Sequence, residues 1–528
     1  MKALYRFYCS ISNYLYFGLL TILAVMLPFS VYVVSMCLIG LGVYVVLEGN
    51  YKKRFQNVYQ KKSLLIFLSI YAVHLIWMIG TNDFGAGVEN LRIKLPILVL
   101  PFVIATSVTF DKNWIKILLK FFIASVFTAT IVCSIVYFWI SPHKINDVRS
   151  ISMFISHIRF SLLIVTCIFI MIKWILEDGW KINASKLLYL ILIIWFIIFL
   201  MMMRSLTGLI VMVVTSYVLI FVFVRIIKYQ FLKIGAIFLL FAIPLGSFVF
   251  IRNQINNFYN FEKIDIKSLE KKTVNGNPYY HDPKDWNVEN GHKVALYICQ
   301  PELRKEWNKR SNYKYDSLDM KQQSIVFTLL RYMTSKGLRK DSVGITKLTQ
   351  ADISNIERGN TNVIYLGKLG LRSRIYEVIW EFDQYRHGAG VNKHSVTQRI
   401  VYMQIALKLI KDNFWFGIGT GDLKAAYEQY YKTHDTGLSK ERQFLTHNEF
   451  LRFFVVFGFI GFLIIMAAFI FPVFIEKKWF SYYFIMIFTI VFLSFLNEDT
   501  LESHIGVTFS IMFYSLFLWG VKKEDSFE

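Results

Sequence analysis

The chain has 528 residues, 55% of them hydrophobic and 17% aromatic, with a formal net charge of +22. Soluble domains cannot bury that much apolar sequence, so composition excludes a purely soluble protein and points to a membrane class. Of the five cysteines, Cys9, Cys37, Cys133, Cys167 and Cys299, only the last lies in a long hydrophilic stretch, which excludes a disulfide framework there; no Cys/His spacing has the form of a zinc site.

A membrane-spanning helix needs roughly 20 largely apolar residues. Runs of that kind are predicted at about 12–29, 31–48, 63–81, 94–109, 114–139, 151–173, 187–203, 205–225, 232–251, 449–474, 479–496 and 504–520. Pro28 is where the first long run divides in two. Lys2 and Arg6 precede the first run as in a signal peptide, but no small-residue cleavage site follows, so a retained first helix is expected. The fold class read here is an all-α polytopic membrane protein of about twelve transmembrane helices, with a large, mainly helical loop between the ninth and tenth. The expected domains are residues 1–251 with nine spans, the loop 252–446, and residues 447–528 with three more spans.

Lys and Arg collect on the cytoplasmic side of short loops. The basic segments Met1–Arg6, Lys52–Lys62, Arg225–Lys233, Glu476–Lys478 and Val521–Lys523 all fall on one side of a twelve-helix chain, and Thr81–Glu89, Ser141–Asp147 and Asn497–Ser503 fall on the other. Both termini are therefore expected in the cytoplasm, and the 252–446 loop outside it. The loop carries 31 basic and 21 acidic residues, a net of +10. A solvated surface and an attraction to anionic lipid or phosphate both fit that excess. Within the loop, Ser395-Val-Thr-Gln398 starts a helix with apolar stripes Val401/Ile405/Leu409 and Tyr402/Ala406/Ile410, and Thr349–Arg358 followed by Gly359 is another short helix.

Four groups of residues carry possible chemistry. His447 and Asn448 open the tenth helix at the water boundary, and Gly458 and Gly461 follow at i and i+3 deeper in. They fit either an interfacial histidine with packing glycines or a proton-transfer group beside a close helix contact. Upstream, Arg399 begins a helix that ends in Asn413 and Gly417-Ile-Gly419-Thr-Gly421; these glycines make either a plain turn or a loop offering N–H groups to phosphate. Arg204, in Met203-Arg-Ser-Leu-Thr-Gly208, sits at the outer boundary between the seventh and eighth spans, where snorkelling and function both fit. Arg159, in His157-Ile-Arg-Phe160, is expected about two turns into the sixth span, facing a cavity, a partner or a structural ion pair.

Together these features resemble the O-antigen ligase and polymerase superfamily. Its signature is His, then Asn, Ser or Gln, nine residues, Gly, two residues, then Gly, Thr or Val. His447, Asn448, residues 449–457, Gly458 and Gly461 match it throughout. Arg399 with the following helix, Asn413 and the glycine run is similar to the family's loop end. Arg204 is similar to a further family position, although the family's Ser-Arg order is reversed here to Arg-Ser. The resemblance implies a ligase-type glycosyltransferase that takes a glycan from a polyprenyl diphosphate lipid and gives it to a hydroxyl, such as a lipid A core sugar, at the periplasmic face of the bacterial inner membrane. It implies roles for Arg204, Arg399 and Arg159 on the diphosphate, for His447 as the base and for Asn448 beside it. Gly458, Gly461, Gly417, Gly419 and Gly421 then have positioning roles.

No metal, cofactor or nucleic acid is expected. Asp83 and Glu89 are too separated for a paired-acid site, and Glu498, Asp499 and Glu502 are alternatively groups that orient His447 or an arginine. An O-antigen polymerase or a protein O-oligosaccharyltransferase shares the donor and differs in the acceptor. A polysaccharide flippase or transporter normally places its long loop centrally and in the cytoplasm, and a membrane scaffold leaves the His and Arg residues without a role.

Overall fold

In a bilayer each backbone polar group must find its partner within the protein, which makes the apolar runs helices. The computed structural model of the chain describes residues 2–140, 151–177, 183–227, 229–261, 265–366, 371–392 and 395–522. Its helices are α1 (Lys2–Met26), α2 (Val31–Glu48), α3 (Tyr51–Gln60), α4 (Lys62–Ile76), α5 (Phe84–Ile93), α6 (Leu95–Thr106), α7 (Lys112–Ile135), α8 (His157–Glu177), α9 (Ala184–Met202), α10 (Leu206–Phe223) and α11 (Gln230–Tyr259). They continue with α12 (Gln300–Arg310), α13 (Ile325–Ser335), α14 (Ser342–Thr346), α15 (Gln350–Glu357), α16 (Leu371–Arg386), α17 (Ser395–Asp412), α18 (Leu423–Thr433), α19 (Glu449–Ile475), α20 (Tyr482–Phe495) and α21 (His504–Ser515).

Among the described residues seven helices are long and apolar enough to cross a membrane: α2, α7 with its extension to Trp139, α8, α9, α10, α11 and α19. Ser12–Met26, α4, α20 and His504–Gly520 are shorter apolar helices. Seven of the twelve predicted runs are thus long apolar helices, and the other five are shorter. The run predicted at 94–109 is α6, whose 12 residues rise only about 18 Å. It packs between α4 and α21, with Ile97, Leu100 and Ile104 fully buried. The break expected at Pro28 falls between Met26 and Val31, where the Ser30 hydroxyl accepts from Val33 N (3.3 Å).

The chain divides into two compact units. The first comprises residues 1–142, 149–241 and 385–528. Its centre is the packing of α19 along α4, where Phe67 meets Phe469 edge-on (5.6 Å) and His74 meets Phe457 (4.7 Å). The second comprises residues 242–384. It gathers α12 to α15 around Trp307, Leu329, Tyr332, Ile345, Ile353 and Ile356, beside a two-residue antiparallel ribbon pairing Val288–Glu289 with His292–Lys293. Thr349 and Asp352 form a reciprocal capping box at the start of α15, and Gly359, at φ +75°, follows its end. Residues 385–446, expected with the loop, fold as part of the first unit.

Candidate active site

The site is built where α8, α17, the start of α19 and the turn after α20 meet in the first unit. That turn is polar: Glu498 N reaches back to Ser494 O (3.0 Å), Thr500–Glu502 make one 3₁₀ turn, and Ser503 caps α21. Glu498 is buried there. Its Oε1 lies 3.6 Å from Arg159 Nη2, and its Oε2 lies 3.8 Å from Arg399 Nη2 and 3.9 Å from His447 Nδ1. These separations exceed hydrogen-bond length, so the charges face each other without closing on each other. Among the described residues Arg159 Nε, His447 Nδ1 and Glu498 Oε2 are buried without a hydrogen-bond partner. A polar group entering the cluster therefore meets donors and acceptors already desolvated and aimed.

The sequence places Arg159 two turns into its helix, whereas α8 starts only at His157. Residues 151–156 are irregular, and Ser156 O accepts from Phe160 N (2.9 Å), so Arg159 stands in the first turn. Arg399 donates to Asn497 Oδ1 (2.5 Å), and Asn497 Nδ2 donates to Thr207 Oγ1 (2.5 Å). Thr207 opens α10 three residues after Arg204, which is half-buried at the α9–α10 turn with φ +51°. The structure thus gathers Arg159, Arg399 and His447 directly, and joins the Arg204 turn to them through Thr207 and Asn497. Neither Thr207 nor Asn497 carries a local signal, because short polar residues at helix ends usually do nothing but cap.

His447 also has a left-handed backbone, φ +48°, which costs a non-glycine residue roughly 1–2 kcal/mol. Asp499 holds it there by accepting from His447 N (3.2 Å) and Thr446 Oγ1 (3.0 Å). Asp499 faces Arg452 (4.0 Å), Arg452 pairs with Glu502 (2.6 Å), and Glu502 accepts from Lys94 and from Asn90 Nδ2 (3.2 Å). Burial alone would push the Glu502 carboxyl up; Arg452 and Lys94 hold it below the usual carboxylate range. Asn448 caps α19 by accepting from Leu451 N (2.9 Å) and donates to Leu496 O (2.9 Å), so both ends of its amide are spent on the backbone. It ties the start of α19 to the end of α20 next to His447. The imidazole rests beside Tyr402 (5.7 Å) and Phe444 (6.1 Å) and is about a third exposed.

The glycines form one lock. Gly458, at φ +64°, breaks α19, and the freed backbone groups pair with the segment after α17: Ile418 N to Val455 O (3.0 Å), Gly419 N to Val456 O (3.0 Å) and Phe459 N to Phe414 O (2.7 Å). A Cβ on Gly417 would stand 2.4 Å from Val456 O, and one on Gly458 would stand 2.4 Å from Phe416 N. Gly461 lets Trp77 approach, and Gly419 and Gly421 pass against Thr81 and Asp83. The N–H groups of Gly417, Ile418, Gly419 and Thr420 all go to backbone carbonyls, so this run is not a phosphate cradle. Asp83 caps α5 through Ala86 N (2.8 Å), and Glu89 pairs with Arg92 (2.6 Å). Beside the lock lies a cavity of about 820 Å³ that Asp83, Asp412 and Asp422 make acidic, the wrong sign for a diphosphate. Among the described residues no group of three or more His, Cys, Asp or Glu is arranged to hold a metal.

Residues 362–466 match the family model for O-antigen ligase. The match supports the O-antigen ligase superfamily and a function of its ligase or polymerase type. It spans Arg399, the glycine lock, His447 and Asn448, and leaves Arg159, Arg204 and Glu498 outside. No curated protein matches the chain.

Proposed function

We propose that this chain is an O-antigen ligase-like glycosyltransferase of the bacterial inner membrane, taking a glycan from a polyprenyl diphosphate lipid to a hydroxyl acceptor such as a lipid A core sugar. The observation that carries this reading is the convergence of Arg159, Arg399 and His447 on the Glu498 carboxylate at the start of α19. The arginines, with Arg204 nearby, bind the diphosphate, since guanidinium forks match phosphate oxygens and stay charged. The acceptor oxygen attacks the anomeric carbon as the bond from that carbon to the diphosphate breaks. The acceptor proton passes to His447, and the lipid diphosphate leaves with the electron pair, its charge met by the arginines. The residues need no metal for this. The site faces the periplasm, with both termini and the lysine-rich short loops in the cytoplasm; the charge asymmetry of the loops supports that orientation.

An O-antigen polymerase runs the same chemistry with a second lipid-linked glycan as acceptor, and a protein O-oligosaccharyltransferase with a Ser or Thr. A lipopolysaccharide gel of a deletion strain separates them. The ligase reading predicts core without polymer while lipid-linked polymer still accumulates, restored by the wild-type chain. Core carrying single short units means a polymerase.

A further inference from the structure

At the end of α19 opposite His447, four segments of the first unit meet around a cavity of about 820 Å³. They are the α3–α4 junction, the turn after α6, the turn after α19 and the segment after α21. The meeting is fixed by backbone bonds, Phe110 N to Gly520 O (2.8 Å) and Lys522 N to Phe110 O (3.1 Å). A side-chain relay adds to it, with Trp519 Nε1 donating to Ser63 Oγ (3.1 Å) and Ser63 Oγ to Glu476 Oε1 (2.5 Å). Lys61, Lys62, Lys478 and Lys522 line this cavity, against one acid, Glu476. Lys478 is itself buried, and Lys61 is oriented by Ala105 O (2.6 Å). Ile475, Leu518 and Trp519 complete the wall, and Phe474 and Phe480 next to it are exposed.

We infer that this cavity holds the headgroup phosphate of an anionic phospholipid. The lining combines what such a molecule needs: four lysines around one volume against a single acid, and an apolar wall beside exposed aromatic residues for an acyl chain. Lysines that only set topology need a place in a short loop; Lys52 and Lys53, on α3, are of that kind and do not line the cavity. Basic pockets between helices at a membrane surface recognise lipid headgroups, and each lysine near an anionic headgroup contributes roughly a fivefold gain in affinity.

The test is titration of phosphatidylglycerol into the detergent-solubilised full-length protein, read by native mass spectrometry, with phosphatidylcholine and inorganic phosphate as comparison ligands. Wild type is expected to bind phosphatidylglycerol saturably and in preference to phosphatidylcholine. The Lys61→Gln/Lys478→Gln/Lys522→Gln variant should weaken it about 100-fold, and Lys52→Gln/Lys53→Gln should leave it unchanged. Equal loss in both variants, or no loss in the first, overturns the proposal, as does competition by inorganic phosphate at concentrations matching the lipid, which makes the occupant a soluble phosphate. Should the triple variant not accumulate, Lys522→Gln, at the exposed rim, is expected to lose about fivefold, and unchanged affinity there overturns the proposal equally.

Discussion

A carboxylate placed among two guanidinium groups and an imidazole is the residue on which this site turns. Glu498 stands 3.9 Å from His447 Nδ1, beyond hydrogen-bond length but near enough to balance the charge the ring would gain on taking a proton in the proposed reaction. Glu498→Gln keeps the shape and removes the charge; turnover should fall about 10- to 100-fold, the usual effect of losing such a partner, with KM little changed. A purely structural role would show instead as loss of folded protein with normal turnover per folded molecule. Arg399→Ala should weaken donor binding and cost about 3–4 kcal/mol of barrier, and Arg399→Lys should rescue poorly, because a point charge cannot replace the fork that also bonds Asn497. Binding of labelled donor lipid with single-turnover rates separates the two effects. His447 and Arg159 stand out in the sequence as titratable or charged groups at the start of, or inside, an apolar run, whereas Arg399 is singled out through the resemblance of the stretch it begins. Glu498 was visible only as one of three acids in a turn, and nothing local distinguishes it from Asp499, which holds the backbone, or Glu502, which answers Arg452.

The spacing of the two glycine motifs is explained at the level of the element. Gly458 breaks a membrane helix, and the chain around Gly417 supplies the hydrogen bonds the break removes; a Cβ on Gly417 would meet Val456 and Gly458, and one on Gly458 would meet Trp415 and Phe416. Gly458→Ala must hold an alanine at φ +64°, about 1–2 kcal/mol unfavourable before the clash with Phe416 N is counted. Its melting temperature in detergent should drop clearly below wild type; an unchanged value would mean that α19 straightens without cost. From sequence the same glycines read as helix packing and, upstream, as a turn or a phosphate loop, because the partner of a broken helix lies 40 residues away and leaves no periodicity. Arg159 was expected too deep for a related reason: residues 151–156 are apolar enough to extend a span but fold irregularly. In the second unit, burial would push the Glu302 carboxyl up, but Asn277 (2.7 Å), Thr273 (2.6 Å) and the Ser342 N–H (3.0 Å) hold it down to about 2. A depressed folded pKa contributes stability that is present above the unfolded value and lost as pH falls through the folded one. The unit should therefore become protease-sensitive between about pH 4.5 and 2, and Glu302→Gln should be sensitive already at pH 7 and respond less to acid.

For the whole molecule, hydropathy gave the helical membrane class and the approximate position of most helices. It could not give the length of each helix, since the short, buried α6 is as apolar throughout as the long helices are. Residues 385–446 close the hydrophilic loop read from the sequence, and their α17 and α18 pack with the helices of the first unit and bring Arg399 and Tyr402 to His447. Reporter fusions at Gly276 and at the C-terminus check the proposed orientation: an enzyme active only outside the cytoplasm should work at Gly276 and fail at residue 528. The measurement that bears most directly on the account is glycan transfer by the purified protein from polyprenyl diphosphate donor to lipid A core, comparing wild type with His447→Ala and His447→Gln. Loss of a positioned base typically costs about 10²–10⁴-fold, so both variants should fall by that much while still binding donor lipid. Near-normal transfer by His447→Gln, which keeps the polarity but cannot take the proton, would contradict it.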